Sequence, residues 1–177
     1  VLGFGRIGRR VAELGKAYGI SVFGFDPYVT AESMKSLDVR PAGTLDEALA
    51  LADYVSVHMP GGKGPVLGAA ELSNMKPGAI VVNAARGGVV DELALDKALR
   101  DRRLRAAALD VLMQEPPSPD HPLLINPFVT ICPHNAGLTE ECARRMSIAA
   151  AQNILDCFDG RLNPALVVNE QSLSKIS

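Results

Sequence analysis

The chain has little from which to build a metal centre, a disulfide framework or a membrane anchor. Its three cysteines, Cys132, Cys142 and Cys157, form no CxxC pair and no even set. That leaves no cysteine-based metal site and suits a reducing compartment such as the cytosol. Apolar runs are strand-sized, as in Ala79 to Val82, far short of the roughly 18 residues a spanning helix needs. A soluble, cytoplasmic protein with no membrane partner is expected. Charge of one sign is also lacking: 18 Lys and Arg face 20 Asp and Glu, for a formal charge of −2. No basic cluster is long enough to track a phosphate backbone, so nucleic acid is not expected as a partner. There is no internal repeat and no initiating Met, and only Val1 and Leu2 precede GFGRIG. A buried strand normally runs about five or six residues, so the sequence is expected to be the C-terminal part of a longer chain, cut inside a strand.

What is present suffices for one folded domain. The 177 residues match a single-domain length. With 47% apolar and 21% charged residues, a core is available and general disorder is excluded. After the first glycines, RIGRRVAELGKAYG carries apolar residues at helical spacing up to Gly19, and SVFGFD reads as a buried strand ending at Asp26. TLDEALALA opens with Thr44 and Glu47 in capping-box spacing, and DYVSVHM reads as the next strand. GAIVVNAA, LRAAALDV and FVTIC are further strands. Between the first two of these lies a helix that Asp91 can cap, and TEECARRMSIAAAQNILDCFDG is a long helix from Thr139 to just before Gly160. Strands alternating with helices imply parallel pairing in a doubly wound α/β sheet. EPPSPDHP and PGGKGP are loops.

Gly3, Gly5 and Gly8 form a GxGxxG between a strand end and a helix start. The first glycine permits a tight turn, the second lets backbone N–H groups approach a pyrophosphate, and the third lets the helix pack on the strand. Asp26 closes the following strand at roughly the 20-residue separation where a carboxylate meets the adenosine ribose. It would accept from both hydroxyls and repel a 2′-phosphate, and no base follows until Lys35. NAD is therefore expected in preference to NADP. Arg86 in NAARGGVVDE follows a strand, Asp110 ends one, Glu115 lies in the next loop, and His134 precedes a helix. Singly, each of these reads as well as a surface charge, a cap or a loop residue.

Taken in order, GFGRIG, FDP, NAARGG, ALDV with EPP, and PHNAG with Thr139 resemble the D-isomer-specific 2-hydroxyacid dehydrogenases over essentially the whole chain. The resemblance implies a Rossmann-like NAD-binding domain over residues 1–150. Residues 151–177 would form the end of a crossover helix and a segment returning toward an N-terminal substrate domain absent from the chain. It implies Arg86, Glu115 and His134 as the catalytic set, with Arg86 on the substrate carboxylate, His134 as acid/base and Glu115 as its orienting partner. Cofactor contacts would come from Gly3, Gly5, Arg6, Ile7, Gly8, Asp26, Pro60, Ala84, Arg86, Asp110, His134 and Gly137.

The implied function is hydride transfer between NAD(H) and C2 of a small 2-hydroxy or 2-oxo acid, by a homodimer. Two alternatives stand beside it: an NAD(H)-sensing transcriptional co-repressor of the same superfamily, and a short-form phosphoglycerate dehydrogenase. The chain departs from many relatives in its short PGGKGP loop, in Asn135 beside His134, and in Leu112 and Met113. Glu115 argues against a formate dehydrogenase, whose similar motif carries Gln. His58 and His121 are expected to have structural roles.

Overall fold

A computed structural model describes residues 1–168, in a first unit, Val1–Asn135, and a second that begins at Ala136. The first unit alternates helix and strand: α1 (Arg6–Ala17), β1 (Phe23–Gly24), α2 (Ala31–Lys35), β2 (Arg40–Pro41), α3 (Leu45–Leu51), β3 (Tyr54–Val57), α4 (Ala69–Asn74), β4 (Ile80–Asn83), α5 (Glu92–Arg100), β5 (Ala106–Leu109) and β6 (Val129–Ile131). The second unit holds α6 (Glu140–Phe158). Past a short 3₁₀ turn at Pro164–Leu166, the remainder of the C-terminal segment expected over 151–177 lies outside the described residues.

Every strand pair is parallel. β3, β4, β5 and β6 are neighbours in that order, with Val57, Asn83, Leu109 and Ile131 in one row. β1 pairs with β2. Leu2 joins the two sets, bridging Phe25 on one side and Val57 on the other, through bonds such as Leu2 N–H to Ser56 O and Gly3 N–H to Phe25 O. The order is thus β2, β1, Leu2, β3, β4, β5, β6, the doubly wound order with Leu2 at the point where it reverses.

Burial alternates along β4 and β5, with Val81, Asn83, Ala107 and Leu109 buried between half-buried neighbours, so one face of the sheet is covered more deeply than the other. One large apolar cluster joins these strands to α3, α4 and α5 through Leu49, Leu72, Leu95 and Leu99, and a small one joins Phe4, Ala12, Met34 and Val39.

Caps follow the expected chemistry. Thr44, Asp91 and Thr139 accept from backbone N–H groups at the starts of α3, α5 and α6. The Glu47 carboxylate closes back on Gly43 N–H rather than Thr44.

The strand expected over SVFGFD pairs only at Phe23–Gly24, with the bridge at Phe25 beyond. In its neighbour, Arg40 N–H and Ala42 N–H donate to Val22 O and Gly24 O, so Pro41 sits where the missing N–H falls on the edge away from β1. The short α2, β2 and α4 were not expected, because elements of two to six residues carry no readable period.

Candidate cofactor and active site

The candidate residues of the first unit follow the carboxyl ends of the parallel strands. Gly3 follows Leu2, Asp26 follows Phe25, Pro60 lies just past β3, Ala84 and Arg86 past β4, Asp110 past β5 and His134 past β6. Open α/β sheets bind ligands along this edge. Gly137 belongs to the second unit.

At the glycine loop, Gly3 has φ 87° and a Cβ there would lie 2.6 Å from His58 O, while a Cβ on Gly8 would lie 2.0 Å from Gly3 O. The start of α1 therefore rests directly on the loop, which larger residues would prevent. Gly5 has open space above it. The N-terminus of α1 has no side-chain cap and no acidic residue in its first turn, and Arg6 and Ile7 are exposed. Unclaimed N–H groups beside open space fit a pyrophosphate, which the helix dipole also favours.

Asp26 Oδ2 accepts from Phe4 N–H at 2.7 Å and Oδ1 from Tyr28 N–H at 2.8 Å. Each carboxylate oxygen has a second lone pair to offer a ribose hydroxyl. A cavity of about 530 Å³ adjoins it, lined by Phe25, Asp26, Pro27, Met34, Pro41 and Leu45 among others, with neither Lys nor Arg. Another, of about 430 Å³, lies on the opposite side of the strands beside Val1, Phe23 and Tyr54, away from every candidate residue.

At the other end of the edge, His134 Nδ1 lies 2.7 Å from Glu115 Oε2. Glu115 Oε1 accepts from Leu112 N–H at 2.9 Å. The bond from His134, then that from Leu112, hold the Glu115 carboxyl below the usual carboxylate range. His134 adopts φ 53°, a left-handed conformation uncommon outside glycine. The chain is held on both sides of it, by Cys132 N–H to Leu109 O and by Asn135 N–H to Asp110 Oδ1 at 2.9 Å. Asp110 is only 8% exposed.

Arg86 is exposed; its Nη1 donates to Ala85 O. The turn that carries it is tied by buried Asn83, whose Nδ2 donates to Arg86 O and whose Oδ1 accepts from Ala85 N–H, both at 3.0 Å.

Residues 1–136 match the family described as D-isomer specific 2-hydroxyacid dehydrogenase, NAD binding domain. The chain belongs to this family. It is 36% identical to a D-3-phosphoglycerate dehydrogenase of Methanocaldococcus jannaschii, over 99% of this chain and 34% of that protein. It is 41% identical to a glyoxylate reductase of Aeropyrum pernix, over 96% of this chain and 51% of that one. Among solved structures, D-lactate dehydrogenase with NAD⁺ from Lactobacillus jensenii superposes with a TM-score of 0.84 at 30% identity, covering 95% of this chain and 54% of that one. The chain therefore spans about a third to a half of these relatives.

In this NAD-binding domain the sheet brings Glu115 and His134 into direct contact and sets Arg86 beyond the neighbouring strand. The short PGGKGP loop runs beside that arginine, since a Cβ on Gly61 would lie 3.6 Å from Arg86 Cβ. His58 bonds Ser56 Oγ through Nε2 at 2.8 Å, and burial pushes its pKa down. His121 pairs with Glu92 at 3.0 Å. Among the described residues no group of three or more His, Cys, Asp or Glu could hold a metal ion, and no helix is long and apolar enough to cross a membrane.

Asn83 and Glu92 escaped sequence reasoning, as did the bond of Asp110 to Asn135. Asn83, 1% exposed at a strand end, could have been noticed as a polar residue closing an apolar run. The Asp110 bond to Asn135 and the Glu92 bond to Met113 N–H join segments about twenty residues apart and leave no local signal.

Proposed function

We propose that the protein is an NAD-dependent D-2-hydroxyacid dehydrogenase of the cytoplasm, in which this chain supplies the cofactor-binding half and the acid/base. The observation that carries the reading is the 2.7 Å contact between His134 Nδ1 and Glu115. An ionised carboxylate can only accept, so Nδ1 carries the proton of that bond, and Nε2 is the nitrogen left to exchange a proton with substrate oxygen. When bound, NAD(H) supplies or accepts the hydride at substrate C2. During reduction His134 gives its Nε2 proton to the oxygen of the 2-oxo acid, and in oxidation it takes the proton back, a role worth typically ~10²- to 10⁴-fold. Glu115 fixes the ring orientation. Arg86 offers a planar fork to the substrate carboxylate and polarises the carbonyl.

Gly3, Gly5, Arg6, Ile7 and Gly8 would hold the pyrophosphate, Asp26 the adenosine ribose, and Pro60, Ala84, Asp110 and Gly137 the remainder of the cofactor. A homodimer is the assembly that the family implies for the full-length protein. The test is NADH oxidation by that protein with glyoxylate, hydroxypyruvate, phosphohydroxypyruvate and larger 2-oxo acids. Turnover that Arg86→Lys weakens in kcat and KM, with NADH affinity unchanged, supports the assignment. Tight NADH binding with no turnover on any of these acids overturns it in favour of an NAD(H)-sensing co-repressor.

A further inference from the structure

The loop between β5 and β6 carries Glu115, yet both of its ends are fastened to the first residue of α5. Glu92 Oε1 accepts from Met113 N–H at 2.5 Å, and Oε2 lies 3.0 Å from His121 Nε2. The Glu92 side chain is 13% exposed and that of His121 19%. A solvated acidic residue at a helix N-terminus would serve the dipole alone. Here both carboxylate oxygens are spent on a distant segment. Among the described residues His121 Nδ1 is buried with no hydrogen-bond partner, so there the ring is tied by the Nε2–H it donates to Glu92.

Met113 N–H and its neighbour Leu112 N–H are held by two different carboxylates, the first by Glu92 and the second by Glu115. The same Leu112–Met113 peptide is packed against the turn after Arg86. A Cβ on Gly87 would lie 2.0 Å from Leu112 O and 2.7 Å from Met113 N, so no other residue fits there without displacing one of the two segments. Two consecutive peptide units that meet at Leu112 thus touch, one the segment bearing the substrate-carboxylate arginine and the other the carboxylate that orients the acid/base.

We propose that Glu92 is a positioning residue for the Glu115–His134 pair. By pinning Met113 and His121 it fixes the Leu112–Met113 peptide and, through Leu112 itself, the adjoining N–H that holds Glu115 in line with His134. This rests on the assignment of His134 as acid/base, and it adds a residue outside the Arg86, Glu115 and His134 set. A small displacement of a reacting group costs rate steeply, so loss of the clamp should fall on kcat rather than on cofactor binding.

The experiment compares wild type, Glu92→Ala and Glu92→Gln in the full-length protein. It reads kcat with the best 2-oxo acid, the NADH Kd, and the Glu115 side-chain carboxyl titration by carbon-detected NMR. In Glu92→Ala we expect kcat to fall about tenfold with NADH Kd within twofold, and the Glu115 midpoint to rise toward the ordinary carboxylate value as Leu112 N–H is released. Glu92→Gln keeps an oxygen for Met113 N–H and should recover most of the rate and of the titration. Unchanged kcat and Glu115 midpoint in a folded Glu92→Ala overturns the proposal, and so does a parallel loss of NADH affinity. If Glu92→Ala does not fold, Glu92→Asp decides, because its shorter carboxylate does not span both partners: a fall in kcat with a raised Glu115 midpoint supports the clamp, and no change in either refutes it. If wild type turns over none of the acids, the functional reading fails and the Glu115 titration alone judges the clamp.

Discussion

The two halves of the sheet are built differently. On one side of Leu2, β1 and β2 pair over two residues each and share the small cluster of Phe4, Ala12, Met34 and Val39. On the other, β3 to β6 run in register against a large cluster that includes α3, α4 and α5. The first half bears the glycine loop and Asp26, and the second bears Arg86, Glu115 and His134. The side proposed to hold the adenosine end is held largely by loop hydrogen bonds, such as Asp26 to Phe4 and Tyr28, whereas the side proposed for chemistry is anchored in the main core. Local stability follows buried apolar contact, so cofactor binding has a soft element to order, and the acid/base sits on a stiff one.

The sharpest separation of the halves comes from His134→Ala in the full-length protein. It should lower kcat by about 10²- to 10⁴-fold while NADH Kd, measured by fluorescence titration, stays within about twofold. A comparable loss of NADH affinity would merge the halves. Next in size, Asp26→Ala removes an ionised acceptor from the ribose site, and hydrogen bonds to charged groups contribute about 1.5–3 kcal/mol each. NADH Kd should rise about 10- to 100-fold, preference over NADPH should relax, and kcat at saturating cofactor should change little.

Leu95→Ala empties a fully buried site in the main cluster and should cost about 2–5 kcal/mol in urea unfolding. It should lower protection from hydrogen exchange along β3 to β5 as well as in β1. Met34→Ala, in the small cluster, should instead loosen β1, β2 and α2 selectively, with the amides of β4 and β5 retaining most of their protection. Adding NADH should slow exchange in residues 3–8 and in β1 and β2 more than in β4 and β5. Uniform protection across the sheet would contradict a soft cofactor half.

The smallest effect is electrostatic. The His134 bond is the main reason that the Glu115 carboxyl lies below the usual range. A lowered folded-state pKa means that the pairing stabilises the fold above the unfolded carboxylate pKa and is lost as pH falls through the lower folded one. In His134→Ala the Glu115 midpoint should rise toward its ordinary value while staying somewhat depressed by Leu112 N–H. A midpoint that does not move would assign the shift to the backbone bond and remove the electrostatic evidence for the pair.

Much of this was readable before any coordinates. Gly3 and Gly8 announce close backbone contacts, because a Cβ there would lie 2.6 Å from His58 O and 2.0 Å from Gly3 O. Thr44, Asp91 and Thr139 mark helix starts because their caps bond within three residues. The alternation of strand-sized apolar runs with helical spacing gave the parallel sheet, and a family resemblance gave Arg86, Glu115 and His134 as candidates. The strand at β1 was legible but not its two-residue extent, and β2 was not legible at all, since both depend on partners elsewhere in the chain.

The sequence by itself determined the local chemistry: caps, turns, the order of strands and helices, and the residue types along the binding edge. Tertiary structure alone decided that His134 meets Glu115, that Asp110 holds the chain beside His134, and that Glu92 reaches Met113 and His121. These bonds join residues 19 to 29 positions apart. No periodicity announces them, because such contacts exist only once parallel pairing has brought the carboxyl ends of β4, β5 and β6 into one row.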